Sequence, residues 1–311
     1  MIGLALAWLA LLATAQEADP AYHVEKLEDR IRLEIGGQLF SEYRFQEAAI
    51  PFFYPLFGPK GQAMTRSYPM AHVSGEAKDH PHHRSLWFTH GNVNGFDFWH
   101  ASGDQYPRIV FRRLASSSSG PMYGSFVAEH DWLAPDGKRV CRDRRSFRFS
   151  RQAENRLLEI RIQIIASEGP LRFGDTKEGS MAIRVHPALR LKGKIAAGQI
   201  LNSEGKVNGK AWGKRARWVD YSGPIQGEVL GVAMFDHPQN FRHPTWWHAR
   251  DYGLMAANPF GIHDFEGKAK GTGDFLLAKG ETLELRYAVY LHQGNAQEAK
   301  VESSWQAWAS W

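Results

Sequence analysis

The chain has 311 residues, a formal net charge of +5, and 23% charged against 43% hydrophobic residues. This is the balance of a globular protein that buries a core, and it excludes a disordered or fibrous chain. The positive charge is spread along the sequence, with no basic tail, zinc-finger spacing or RNA-binding aromatic motif, so no nucleic-acid partner is expected.

The N-terminal run from Ile2 to Leu12 leads to Ala13-Thr14-Ala15 before Gln16. The run is too short to span a bilayer and ends in an A-x-A pattern, so residues 1–15 are read as a signal peptide. The expected mature chain, 16–311, is a single domain exported to the periplasm or the exterior. No later stretch is apolar for long enough to form a membrane helix.

From residue 30 the chain alternates apolar and polar residues between turn-forming ones, the pattern of half-buried strands. Ile31, Leu33 and Ile35 share one face before a turn at Gly36-Gly37. "RSFRFSRQAENRLLEIRIQIIA" reads as two strands joined at Gln152–Asn155, with Leu158, Ile160, Ile162 and Ile164 on one face of the second. "GEVLGVAMFDHP" and "ETLELRYAVYLH" continue the pattern, the latter through Leu283, Leu285, Tyr287 and Val289. Only the C-terminus reads helical: after Asn295 as N-cap, Val301, Trp305 and Trp308 fall on one face. The chain has no GxGxxG, no P-loop and no alternation of strands with helices. The expected fold is one large, mostly antiparallel all-β domain with a short C-terminal helix.

The first stretch rich in chemistry is "DHPHHRSLWFTHGNVNGFDFW", residues 79–99, which carries four of the 14 histidines. Three readings stand. His80 and His82, two residues apart with His90 further on, could begin a metal site. One or two of the imidazoles, held near neutral pKa in a cleft, could serve acid–base chemistry. Or the histidines hydrogen-bond the backbone at a strand corner. The lone Cys141, among Arg139, Arg142, Arg144 and Arg145, is read as packing, and that arginine run as an exposed strand face rather than an anion site.

In "FGDTKEGSMAIRVHP", Asp175, Lys177 and Glu178 sit on a Gly-flanked loop that enters a strand leading to Arg184 and His186. A carboxylate on such a loop can be aimed into a cleft. The last cluster, residues 235–261, holds His237, His243, His248, the Trp246–Trp247 pair, Arg250, Asp251 and Tyr252. Flat indole faces ringed by hydrogen-bonding side chains suit a sugar, whose C–H faces are apolar and whose hydroxyls need partners.

"PLFGPKGQAMTRSYPM", the His-rich stretch, "GDTKEGSMAIR" and "HPTWWHARDYGLMAANPFG" together resemble a bacterial family carried under the label PmoA or as a domain of unknown function. The label points to a membrane-embedded methane monooxygenase subunit, which this chain, without spanning runs, does not match. More distantly, "tR-x-YP … HPHH-x-x-x-W … G-x-x-FW" is similar to the galactose-mutarotase-like β-supersandwich of aldose epimerases. That resemblance implies His83 (or His82) and His186 as imidazole acid–base groups, Glu178 as the carboxylate and Arg66 as a substrate clamp. Glu178 lies mid-chain, whereas the epimerase glutamate comes late. Together these readings predict a carbohydrate-active enzyme without a cofactor, with His90, Trp99, Trp247, His248, Arg250 and Tyr252 as further substrate contacts. The rivals are a sugar-binding protein using Trp99, Trp246 and Trp247 as platforms, and a metal-dependent enzyme on His80, His82 and His90.

Overall fold

The computed structural model describes residues 21–103 and 105–310. The signal peptide expected over 1–15 lies outside them. Among the described residues no helix is long and apolar enough to cross a membrane. Strands make up 47% of the structure and helices 7%, which places it in the all-β class.

Two antiparallel sheets of eight strands carry the fold. The first runs, in spatial order, Tyr22–Lys26, Arg30–Ile35, Gln38–Arg44, Phe52–Leu56, Leu86–His90, Gly179–Arg184, Leu254–Asn258 and Trp246–Trp247. The second runs Gln199–Asn202, Trp218–Ile225, Glu228–Asp236, Thr282–Gln293, Asn155–Ile165, Arg139–Gln152, Gly124–Leu133 and Arg108–Ser118. A small two-stranded sheet, Leu171–Phe173 with Phe275–Leu277, stands apart.

The expected alternation is present. Leu158, Ile160, Ile162 and Ile164 are buried together, as are Leu283, Leu285, Tyr287 and Val289 on the neighbouring strand. Each such aliphatic or aromatic side chain contributes roughly 1.5–3 kcal/mol by leaving water, so these two strands anchor the core between the sheets. The predicted turns fall at Gly36–Gly37, both with positive φ, and between Gln152 and Asn155. Cys141 is fully buried, and burial pushes its thiol well above the ordinary range, so it packs as an apolar side chain.

Two expectations need correction. Asn295 is not the helix cap. Its carboxamide oxygen accepts from the backbone N–H of Gln297 and Glu298 in a preceding turn, and the helix Val301–Ala309 starts after Lys300 in a left-handed conformation. Val301 and Trp308 then pack on Trp218, Phe235 and Tyr290 of the second sheet. The arginine run is also not wholly exposed. Period-two alternation sends Arg142, Arg144 and Arg148 outward but turns Cys141, Asp143, Arg145 and Phe147 into the core.

Arg145 is accommodated by a closed polar network. Its Nε and Nη2 donate to Asp143 Oδ2 at 2.9 and 2.6 Å, and Trp132 Nε1 donates to the same oxygen at 2.7 Å. His130 Nδ1 donates to Asp143 Oδ1 at 2.7 Å, so its Nε2 accepts from the Tyr43 hydroxyl at 2.9 Å. Burial alone would raise the Asp143 carboxyl, but the charge of Arg145, with the contacts and hydrogen bonds of His130 and Arg145, outweighs it and holds the group well below its usual range.

Candidate functional site

In the strand Leu86–His90, Phe88 packs against Trp132 and Arg145 of the second sheet, so Leu86, Phe88 and His90 face the core. Trp87 therefore faces away. Its register partner is Ala182, and Arg184, two residues along the next strand, points the same way. The outward face of the first sheet at Trp87 and Arg184 is the floor on which the His-rich segment lies.

Two guanidinium groups fasten that segment. Arg184 donates through Nη2 to both oxygens of Asp79 at 3.0 and 2.8 Å, and through Nη1 to His83 Nδ1 at 3.0 Å. Arg66 donates to Asp79 Oδ1 at 2.8 Å and to the carbonyls of Asp79, His80 and His83 at 2.8, 2.9 and 3.3 Å. Burial alone would raise the Asp79 carboxyl. Its hydrogen bond and charge contact with Arg184, then His80 and Arg66, outweigh that and hold it well below the usual range. The turn brings His80 to φ 47°, a left-handed conformation uncommon outside glycine.

The result is a set of near-parallel rings. Trp87 and His83 are 5.3 Å apart, His83 and His80 4.8 Å, and His80 and Tyr252 5.1 Å. His82 turns away from this stack and meets His100 edge-on at 4.6 Å. Burial, with the positive charges of His100 and His80, pushes His82 down to about 4, so it is neutral at physiological pH.

His100 is the opposite case. Its Nδ1 donates to Asp97 Oδ2 at 2.8 Å, and that hydrogen bond outweighs desolvation and raises its pKa. Asp97 is held in turn by the backbone N–H groups of Trp99 and His100, at 2.9 and 3.1 Å to its Oδ1. The charges of Glu178 and Lys177 also act on His100, one raising and one lowering its proton affinity.

Glu178 reaches this place because Gly91 has no side chain: a Cβ there would come within 2.8 Å of the Glu178 Cβ. The Gly91 N–H donates to the Glu178 carbonyl at 2.7 Å, and the Glu178 side chain pairs with Lys177 Nζ at 3.3 Å. His248 closes the edge of the cluster. Its Nδ1 donates to the Lys177 carbonyl at 3.2 Å, and burial, with the charges of Arg250 and Lys177, pushes it down to about 3. Five buried polar atoms in or beside the cluster have no partner: Arg66 Nε, Arg184 Nε, His82 Nε2, Trp87 Nε1 and Trp99 Nε1.

Of the residues singled out from sequence, the structure brings together His80, His82, His83, Glu178, His248, Arg250 and Tyr252. His83 is 2% exposed, and burial, with the charges of His82 and Arg184, drives its pKa far down. Arg66 is 1% exposed and engaged by the Asp79 carboxylate and by the carbonyls of Ala77, Asp79, His80 and His83, so it holds the His-rich turn rather than a substrate. His90 lies on the core side. It donates through Nε2 to the Gly174 carbonyl at 2.8 Å and packs on Phe260, so it meets neither a substrate on the outer face nor His80 and His82 around one metal. His186 accepts from the Ala188 N–H and caps a short 3-10 turn. Trp247 is fully buried and donates to the Ala216 carbonyl at 2.9 Å, and Trp246 and Trp99 are buried too, so none of the three offers an open platform. Asp97 and His100 are absent from the sequence reading. Their signal was an Asp and a His three residues apart, ending just past the quoted motif.

No curated protein matches the chain. Several solved structures are similar at low identity. A galactose mutarotase-like protein from Lactobacillus casei ATCC 334 is 9% identical with a TM-score of 0.39, over 87% of this chain and 100% of that one. A putative aldose 1-epimerase from Escherichia coli K12 is 12% identical with a TM-score of 0.36, over 88% and 99%. The GH36 alpha-galactosidase AgaA from Geobacillus stearothermophilus is 10% identical with a TM-score of 0.41, over 89% of this chain and 41% of that enzyme. The PmoA label finds no support, because the family model that matches, over residues 30–306, carries a different description. On that match, the chain belongs to a family of unknown function, DUF6807.

Proposed function

We propose that the outer-face cluster binds a carbohydrate and moves protons on it, with His100 as general acid and Glu178 as the carboxylate that accepts a proton. One observation carries the reading: Asp97 raises the proton affinity of an exposed histidine whose charge also feels Glu178. An acid and a base of opposite charge thus share one open face, as proton transfer to and from a polar substrate requires. His83, held neutral behind the turn, supports His80 and Tyr252 and gives up the acid role that the epimerase resemblance implied for it.

The reaction that fits is acid–base chemistry at an anomeric or adjacent carbon: ring opening, epimerisation or glycosidic cleavage. The test is NMR of aldoses and reducing disaccharides with purified protein, following anomeric exchange, carbon-bound deuterium uptake and release of monosaccharide. Acceleration of any of these by the wild type and its loss in His100→Ala is the expected result. Sugar binding without turnover of any compound would make the cluster a recognition site and end the catalytic reading.

A further inference from the structure

The cationic groups of the cluster are unequally matched. Asp79 serves both Arg66 and Arg184. Lys177 is paired with Glu178, and Lys192 with Asp251 at 2.6 Å. Arg250 is different: its guanidinium makes no hydrogen bond or ion pair among the described residues, although the side chain is half-buried. It lies 5.5 Å from the Tyr252 ring centroid, on the same ring that stacks on His80 and that has Arg184 4.7 Å away. Its charge is felt at His248 and at Tyr252, so it belongs to the site and not to a remote surface.

A guanidinium held beside the neutral His248 imidazole, with one carboxylate shared between the two neighbouring guanidinium groups, leaves the face net positive. The planar fork of donors matches a carboxylate in two parallel hydrogen bonds. From this geometry we infer that the substrate is an acidic sugar, one whose carboxylate is bound by Arg250. The inference rests on the carbohydrate reading above and names its substrate class. A neutral sugar would leave Arg250 desolvated without a counter-charge. A uronate would supply that charge while its ring and hydroxyls meet Tyr252, His80 and His82.

The test uses matched pairs, glucuronate against glucose and galacturonate against galactose, titrated into the full chain by calorimetry with histidine ring NMR as the reporter. A charge-assisted bidentate contact predicts that one uronate binds about ten- to a hundredfold more tightly than its neutral parent, and that the preference shrinks with added salt. Arg250→Gln should abolish the preference, bringing the affinity for each uronate down to that of its neutral parent measured on the same variant. Arg250→Lys, which keeps the charge and loses the fork, should keep only part of it. Both variants alter a half-exposed side chain, and thermal melts matching the wild type verify that they fold. Equal affinity for acid and neutral sugars, or a preference that survives Arg250→Gln, overturns the inference and leaves the carbohydrate reading standing. Acetate binding as tightly as the uronates also overturns it, because the sugar ring would then contribute nothing. No shift of the His82 or His100 signals with any sugar removes the carbohydrate reading itself, and the inference with it.

Discussion

Two regions of this molecule use the same vocabulary to opposite ends. Between the sheets, Asp143 joins Arg145, His130, Tyr43 and Trp132. On the outer face of the first sheet, Asp79 joins Arg184, Arg66, His80 and, through Arg184, His83, with Tyr252 and Trp87 stacked alongside. In the first, no buried side-chain polar atom lacks a partner. In the second, Arg66 Nε, Arg184 Nε, His82 Nε2, Trp87 Nε1 and Trp99 Nε1 do, and Asp79 is 36% exposed. A network whose buried polar atoms are all partnered holds the fold and offers no vacant buried group. The second is neither closed nor wholly buried, with buried polar atoms left unpartnered and the Asp79 carboxylate at its open edge.

The sharpest test of this contrast is the same substitution in each region. His100→Ala, and likewise Glu178→Ala, should reduce turnover of a confirmed substrate by about a hundred- to ten-thousandfold while the melting temperature changes little. Steady-state kinetics beside calorimetry reads both quantities, and retention of full activity by both variants would remove the assigned pair. His130→Ala should do the reverse. It strips partners from Tyr43 and Asp143 and should cost roughly 1–3 kcal/mol of stability without touching the substrate.

Asp143→Ala goes further, because it leaves the Arg145 charge buried and unpaired. A loss of about 3–5 kcal/mol in denaturant unfolding is expected. The depressed Asp143 carboxyl adds a pH signature. A group depressed on folding contributes stability above its unfolded pKa, about 3.9, and that contribution is lost as pH falls below it. Asp143→Ala should therefore flatten the acid side of the stability profile. An unchanged profile would show that the network does not account for acid sensitivity.

A smaller effect separates Asp97 from a merely structural turn residue. Asp97 raises the His100 pKa, so activity that needs protonated His100 is full at lower pH and falls as pH rises through that raised value. Asp97→Asn should move this basic limb of kcat/KM to lower pH. Loss of activity with no movement of the limb would mean that Asp97 only shapes the loop. Smallest is Tyr252→Phe, which keeps the ring stacked on His80 and deletes one hydroxyl. Sugar affinity should weaken by about 0.5–1.5 kcal/mol, a few-fold in Kd. No change would place the Tyr252 hydroxyl outside the site.

How legible all this was in the sequence varies with the range of the interaction. Period-two alternation through Ile160, Ile162 and Ile164 and the turn glycines at 36 and 37 determined the strands, because side-chain direction along an extended chain follows from local geometry alone. The arginine run reads from the sequence as an exposed strand face, and nothing local shows that Arg145 turns inward or which neighbours would neutralise it. Only the sheet pairing of Trp132 with Cys141 and of His130 with Asp143 decided that.

At the site, the sequence by itself determined the cast: the His-rich run, Glu178, and the His248–Tyr252 segment. It did not determine which histidine keeps its proton. His83 and His100 are alike as letters, yet one is buried against Arg184 and the other is exposed beside Asp97. Proton affinity depends on burial and on charges brought from residues far apart in the chain, and those exist only once the two sheets and their loops have closed.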